Sequence, residues 1–371
     1  MEPLLAVWSG MYLDPSGIGT IVSEADLAPY VELAMNELEF ILGPVTSTYG
    51  SIRASLGYPE PWKLNFVEIG NEDNLSDGET SYVAYRFNAF FSAIHAKYPW
   101  ITVISSTGDL EATGAGSATD YHIYTRPDDF VSLFGYWDNA PRTNKVLVGE
   151  YANVQGNVFG EIVGTNWSAP RTDWPIWVGA VSEAVWSLGI ERNGDNMIGM
   201  SYAPGFQNLN NYEWSVGQSL SLPRHVLTIQ QPDMISFSAD PAQDVLSTSY
   251  HAIQLLSSAR YTSTVPVKSD SDFGPAYYVA GISDPGKYTF KAAIYNATSP
   301  VPFSIDFEGI QQGHTATLTV LNADDPLGSN VLLADGTVTQ VVNKKVESLT
   351  AGKGGVLSFE LENYDIAVLT T

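Results

Sequence analysis

Six short apolar runs are spaced through the first 204 residues, and helical periodicity lies between most of them. They read PLLAVW (3–8), LNFVEIG (64–70), ITVISST (101–107), DYHIY (120–124), KVLVGEYA (145–152) and NMIGMSYAP (196–204). Runs this short and this apolar are strands buried on both faces, which is the habit of parallel sheets covered by helices. The intervening stretches supply the helices. LAPYVELAMNELEFILG (27–43) has Asp26 as its expected N-cap and Gly43 just past its end. ETSYVAYRFNAFFSAIHAKYP (79–99) is amphipathic and is stopped by Pro99. PIWVGAVSEAVWSLGI (175–190) begins with Pro175 at an expected first turn, and VLSTSYHAIQLLSSA (245–259) is the last helix. An open doubly wound sheet and a (β/α) barrel both accommodate six such strands. The first strand is not followed by the Gly-rich phosphate loop that a dinucleotide-binding fold would place there.

The pattern changes after about residue 262. AYYVAGI, YTFKAAIYNA, VPFSIDFEGI, TATLTVLNA, NVLLADGTVTQVV and GVLSFELENYDIAVLTT alternate at period two between Gly, Asp, Asn and Pro turns. That is the signature of an antiparallel β-sandwich. The expected division is therefore an α/β unit over 1–262 and an all-β unit over 263–371.

With 44% hydrophobic and 16% charged residues the chain can build a sizeable core. Its net charge of −24 argues against nucleic acid or an anionic membrane surface as a partner. Nine Trp and 20 Tyr could line a sugar-binding surface or fill the core. There is no cysteine, so disulfides, thiolate chemistry and Cys-type zinc sites are excluded. Three sequons begin at Asn74, Asn166 and Asn296, a weak sign of secretion. MEPLLAVWSG has no basic segment of a signal peptide, and no run approaches the ~20 apolar residues of a membrane span.

Two strand ends carry the candidate chemistry. In FVEIGNED, Val67 and Ile69 are the natural helix-facing pair, so Glu68, Gly70 and Glu72 are expected on the opposite face. Glu72 then stands at the C-terminal rim, where barrel enzymes hold their sites, with Glu68 deeper and Asp73 a loop or cap residue. KVLVGEYA repeats the design, with Gly149 followed by Glu150. A closed barrel would bring the two rims together, and a carboxylate pair across a pocket is what glycoside hydrolysis needs. Either glutamate alone is an ordinary solvated strand end. His122 and Tyr124 could orient a carboxylate, or could simply be satisfied core residues. Asn71 could donate to a sugar hydroxyl or serve the turn. The five histidines show no metal-ligand spacing, and no Gly-x-Ser-x-Gly occurs.

At VEIGNED and VGEYA the sequence resembles the α-L-arabinofuranosidases of glycoside hydrolase family 51, the fungal type in particular. The likeness continues through SYVAYRFNAFFSAIHAKYP, WVGAVSEAVWSLGIERNGD, SYAPGFQNLNNYEW and LSFELENYDIAVL, and spans essentially the whole chain. The resemblance implies a (β/α)8 barrel followed by a C-terminal antiparallel β-sandwich. MEPLLAVWSG resembles the family's third strand, so the barrel here is expected to be incomplete, with strands three to eight. The first two strands and a sugar-binding Pro-Gly-Gly stretch near them would belong to a longer, secreted parent. By the same resemblance Glu72 is the general acid/base and Glu150 the nucleophile. His122 and Tyr124 support the nucleophile, and Asn71 binds the arabinose 2-hydroxyl. The implied activity is retaining, exo-acting release of terminal α-L-arabinofuranosyl residues from arabinoxylan, arabinan or their oligosaccharides, with no metal or other cofactor. Another retaining glycosidase of the same clan, such as an endo-glucanase or xylanase, and a non-catalytic fragment are the alternatives.

Overall fold

The computed structural model describes residues 2–14, 19–107, 117–209 and 232–371. Residues 210–214 of the tract quoted above, and His225, lie outside them. The chain forms two compact units. The first comprises Met1–His122, Pro141–Gly149 and Asn196–Gly199; the second comprises Ile123–Ala140, Glu150–Asp195 and Met200–Thr371.

All six expected strands form: β1 (Leu4–Val7), β2 (Phe66–Ile69), β3 (Thr102–Ser105), β4 (Ala118–Thr125), β5 (Val146–Asn153) and β6 (Met197–Tyr202). They make one parallel sheet in the order β1-β2-β3-β4-β5-β6. Leu4 pairs with Phe66, Phe66 with Thr102, and Ile104 with Ala118. Each strand lies beside its predecessor. A doubly wound sheet would reverse direction at a switch point; this order never does, so the winding is that of a barrel. The sheet is an incomplete (β/α)8 barrel of six strands.

In the first unit Val67 and Ile69 do face helices, as their spacing predicts. They share a core with Leu38 of α1 (Ala28–Leu42) and with Phe87, Phe90 and Ile94 of α2 (Phe87–Lys97). Glu68 is buried on the other face. Asp26 is not the N-cap of α1. It closes a 3-10 turn (Glu24–Asp26) and accepts from Ser23 Oγ at 2.6 Å, while Leu27 caps α1 without a side-chain bond. Pro29, in the first helical turn, needs no N–H partner, so the cap is dispensable. The 79–99 segment is helical but contains a π turn at Tyr82–Arg86.

In the second unit the sheet β7-β8-β9-β14-β11-β12 faces the pair β10-β13. These are Ser263–Thr264 (β7), Ala276–Asp284 (β8), Lys287–Ile294 (β9), Val301–Ile305 (β10), Thr315–Asn322 (β11), Asn343–Thr350 (β12), Leu357–Leu361 (β13) and Ile366–Thr370 (β14). Phe290, Phe303, Leu318, Leu357, Leu361 and Leu369 fill the space between them. The outer face of the large sheet is also covered, by α3 (Trp177–Arg192) and α4 (Thr248–Ser258). Every residue of α3 from Trp177 to Ile190 is buried, so the helix has no solvent face to give it an amphipathic stripe. Pro175 precedes the helix instead of opening it, and its carbonyl accepts from Thr248 Oγ1 at 2.8 Å.

One expected sandwich strand is displaced. Residues 330–342 contribute a single bridge, Leu332 to Val338, and the strand is β12 just beyond. Asn330 explains the irregularity: its side chain donates to the Leu246 carbonyl (2.6 Å) and accepts from Val341 N–H (2.7 Å). β12 is an edge strand with mostly exposed residues, so no apolar alternation marks it.

Candidate active site

β2 ends at Ile69, and the next four residues form a tight turn. Gly70 has φ +86°, and a Cβ there would overlap the Asp73 carboxylate, so only glycine fits. That carboxylate folds back beneath the turn, where its Oδ2 accepts from Asn71 N–H (3.1 Å) and Ser106 Oγ (2.8 Å). Its Oδ1 accepts from Ser9 Oγ (2.6 Å) and pairs with Arg86, and both charged partners are buried. Arg86 also donates to the Gly78 carbonyl (2.8 Å), Ser81 Oγ (3.0 Å) and Ser9 Oγ (2.9 Å). Asp73 is thus a buried post rather than the expected loop or cap residue. It ties the turn to the ends of β1 and β3 and to the π turn.

The turn also revises how Glu72 is placed. Its own φ is +49°, a left-handed conformation that costs a non-glycine residue of order 1–3 kcal/mol. Glu72 does not continue the pleat of Glu68; the turn presents it, half-buried, beyond the strand end. Such strain persists only where the surroundings over-determine it, and it concentrates at functional sites.

Glu72 Oε1 lies 3.0 Å from His122 Nδ1. His122 Nε2 lies 2.8 Å from Oδ2 of buried Asp120, whose Oδ1 accepts from Gly149 N–H at 2.6 Å. A Cβ on Gly149 would overlap the Asp120 carboxylate. Asn71 is exposed and lines a cavity of about 250 Å³ with Val7, Trp8, Ser9, Met11 and Gly70.

In the second unit, Tyr124 hydroxyl donates to Glu150 Oε2. Trp167 meets the Tyr124 ring edge-on (centroids 5.9 Å apart), and the Arg171 guanidinium lies 5.2 Å from the Trp167 centroid. Behind β5, Asn153 N–H donates to Glu183 Oε1 at 2.6 Å, and the Asn153 amide donates to the carbonyls of Thr125 and Gln155, both at 3.0 Å. Burial pushes the Glu183 carboxyl up to about 7, outweighing the Asn153 hydrogen bond. Burial also raises Asp233 to about 7.

His122 therefore bonds Glu72, and Tyr124 bonds Glu150, the two candidate carboxylates. The reading of motifs missed Asp73, Arg86, Asp120, Asn153 and Glu183. Only Asp120 had a signal: with His122 and Tyr124 it recurs at every second residue, on one side of a strand.

Residues 149–364, more than half of the chain, match the family model of the α-L-arabinofuranosidase C-terminal domain, and residues 1–142 match that of the α-L-arabinofuranosidase 1 domain. The chain belongs to the α-L-arabinofuranosidase family. Among curated members of this family, "Probable alpha-L-arabinofuranosidase A" of Aspergillus terreus is 38% identical over 374 residues, covering 100% of this chain and 52% of its own length. "Alpha-L-arabinofuranosidase A" of Aspergillus kawachii is 37% identical, with the same 100% and 52% coverage. This arabinofuranosidase-family chain thus spans about half the length of these relatives. An arabinose-bound glycoside hydrolase family 51 α-L-arabinofuranosidase, MgGH51, superposes with a TM-score of 0.83 at 28% identity, over 100% of this chain and 54% of its own. The Thermotoga maritima α-L-arabinofuranosidase–arabinose complex has a TM-score of 0.69 at 17% identity, over 92% of this chain and 73% of its own, and shares the fold.

Proposed function

We propose that this chain carries the catalytic carboxylates of a retaining, exo-acting α-L-arabinofuranosidase, with Glu150 as nucleophile and Glu72 as acid/base. The observation that carries the reading is that each carboxylate is held by a side chain of β4: His122 bonds Glu72, and Tyr124 bonds Glu150. Retaining glycosidases need carboxyls about 5–5.5 Å apart. In the first step Glu150 attacks the anomeric carbon while Glu72 gives its proton to the departing glycosidic oxygen. In the second, Glu72 takes a proton from water, the water oxygen attacks the same carbon, and the Glu150 ester bond breaks.

The proposed substrates are arabinoxylan, arabinan and their oligosaccharides, met outside the cell, with Asn71 donating to the arabinose 2-hydroxyl. The sequon asparagines 74, 166 and 296 are all exposed, which suits a secreted glycoprotein. The catalytic barrel would run through residue 262 and the sandwich from 263.

Turnover of an aryl α-L-arabinofuranoside tests this. Glu150→Ala should lose at least ~10³-fold in kcat, and the first-formed product should keep the anomeric configuration of the substrate. Near-normal turnover by the variant, or an inverted product, would reject the assignment. A panel of glucan, xylan and arabinofuranosides separates it from a retaining endo-glucanase or xylanase.

A further inference from the structure

We propose that Asp120 is a positioning residue: it holds the His122 ring with a proton on Nε2 and so commits Nδ1 to one oxygen of Glu72. Asp120 is 3% exposed, and both of its oxygens are engaged. Oδ1 accepts from the Gly149 backbone, and Oδ2 faces Nε2 at 2.8 Å. A proton must lie on that second contact. An ionised carboxylate offers only acceptor lone pairs, so the donor on that contact is the ring N–H. Nδ1 then meets Glu72 Oε1 at 3.0 Å, again with one proton between them. A neutral ring accepts it from the Glu72 carboxyl; an imidazolium donates it to the carboxylate. Either way Oε1 is occupied and Oε2 is the oxygen free to face a substrate. Among the described residues, the charged groups that bond the ring are Glu72 and Asp120. The catalytic meaning of this arrangement rests on the reading of Glu72 as proton donor; the arrangement itself does not.

The backbone donor makes the inference sharp. In Asp120→Asn the Gly149 N–H still requires an acceptor, so the amide oxygen must take the Oδ1 place. The NH2 group is then turned toward His122 Nε2, which has to become an acceptor. The neutral ring must switch to the Nδ1–H form. The substitution that looks most conservative therefore inverts the tautomer.

The test is nitrogen-15 NMR of the histidine ring nitrogens between pH 5 and 8 on the full chain. The signals of His122 are identified among the five histidines by their loss in His122→Gln. The expected result is Nε2 protonated throughout the wild-type titration, and Nε2 bare with Nδ1 protonated in neutral Asp120→Asn. A bare Nε2 in the wild type, or an unchanged tautomer in folded Asp120→Asn, would overturn the proposal. If that variant does not fold, the wild-type titration alone decides. Because the spectrum needs no turnover, loss of the proposed activity leaves this result standing. Conversely, a wrong tautomer in an active enzyme sinks only this inference. In an active enzyme, Asp120→Asn should slow sugar leaving groups at least ~10-fold more than an activated aryl group, which needs little protonation.

Discussion

Asp73 and Arg86 illustrate how much a strand end depends on a buried charge pair. Both are buried, and their pairing is completed by Ser9, Ser106, Ser81 and the Gly78 carbonyl. Removing one partner leaves the other charge buried without compensation, which costs about 3–5 kcal/mol. Arg86→Met should therefore destabilise the chain by that amount in urea unfolding, while Lys97→Met, at a solvent-screened pair with Glu39, should leave the unfolding midpoint nearly unchanged. At this scale Glu72 and Glu150 stood out because a glycine closely precedes each beside an apolar run, although Glu72 lies in a turn off the pleat and Glu150 lies inside β5. Asp73 did not, because in GNED a carboxylate that folds back under its own turn looks the same as one that faces water. The left-handed φ of Glu72 likewise leaves no mark in the sequence.

Among the elements, α3 departs furthest from what propensity alone dictates. Gly189 lies inside this helix, and replacing an interior glycine with alanine ordinarily gains ~1 kcal/mol. Here the backbone carbonyl of Phe134 occupies the place a Cβ would take. Gly189→Ala should therefore destabilise, by about 1–3 kcal/mol, as a lowered denaturation midpoint with unchanged slope. The strands and long helices were legible because apolar runs and 3.6-residue periodicity survive without tertiary knowledge. β12 was not, since an exposed edge strand carries no burial signal, and the start of α1 was not, since a 3-10 turn feeds it without a side-chain cap.

For the whole molecule, the buried acids set a pH dependence. Glu183 and Asp233 are raised to about 7 and Asp365 to about 6, each chiefly by burial. A raised carboxyl binds its proton more tightly folded than unfolded. Its stabilisation is fully present below the unfolded pKa, near 4, and is lost as pH rises through 6–7. For Glu183 alone the loss is of order 3 kcal/mol. Thermal melts should give a Tm several degrees higher at pH 5 than at pH 8, and Glu183→Gln should flatten that slope. A Tm that rises with pH would contradict it. That a helix-interleaved parallel sheet is followed by an antiparallel sandwich was legible from the change of period; the choice between barrel and doubly wound sheet was not legible from the runs alone, because strand order depends on pairings that single runs do not encode.

Helix α3 has one further consequence. It lies between β5 and β6 in the chain, yet Trp177, Val181, Val185 and Leu188 share a core with Val279, Ala293 and Val368 of the sandwich sheet. Trp177 Nε1 donates to the Tyr364 carbonyl (3.0 Å), and Lys291 bonds Glu191 (2.7 Å). A chain cut between α3 and the sandwich would leave Trp177, Val181, Val185 and Leu188 facing water, so neither piece should stay soluble by itself.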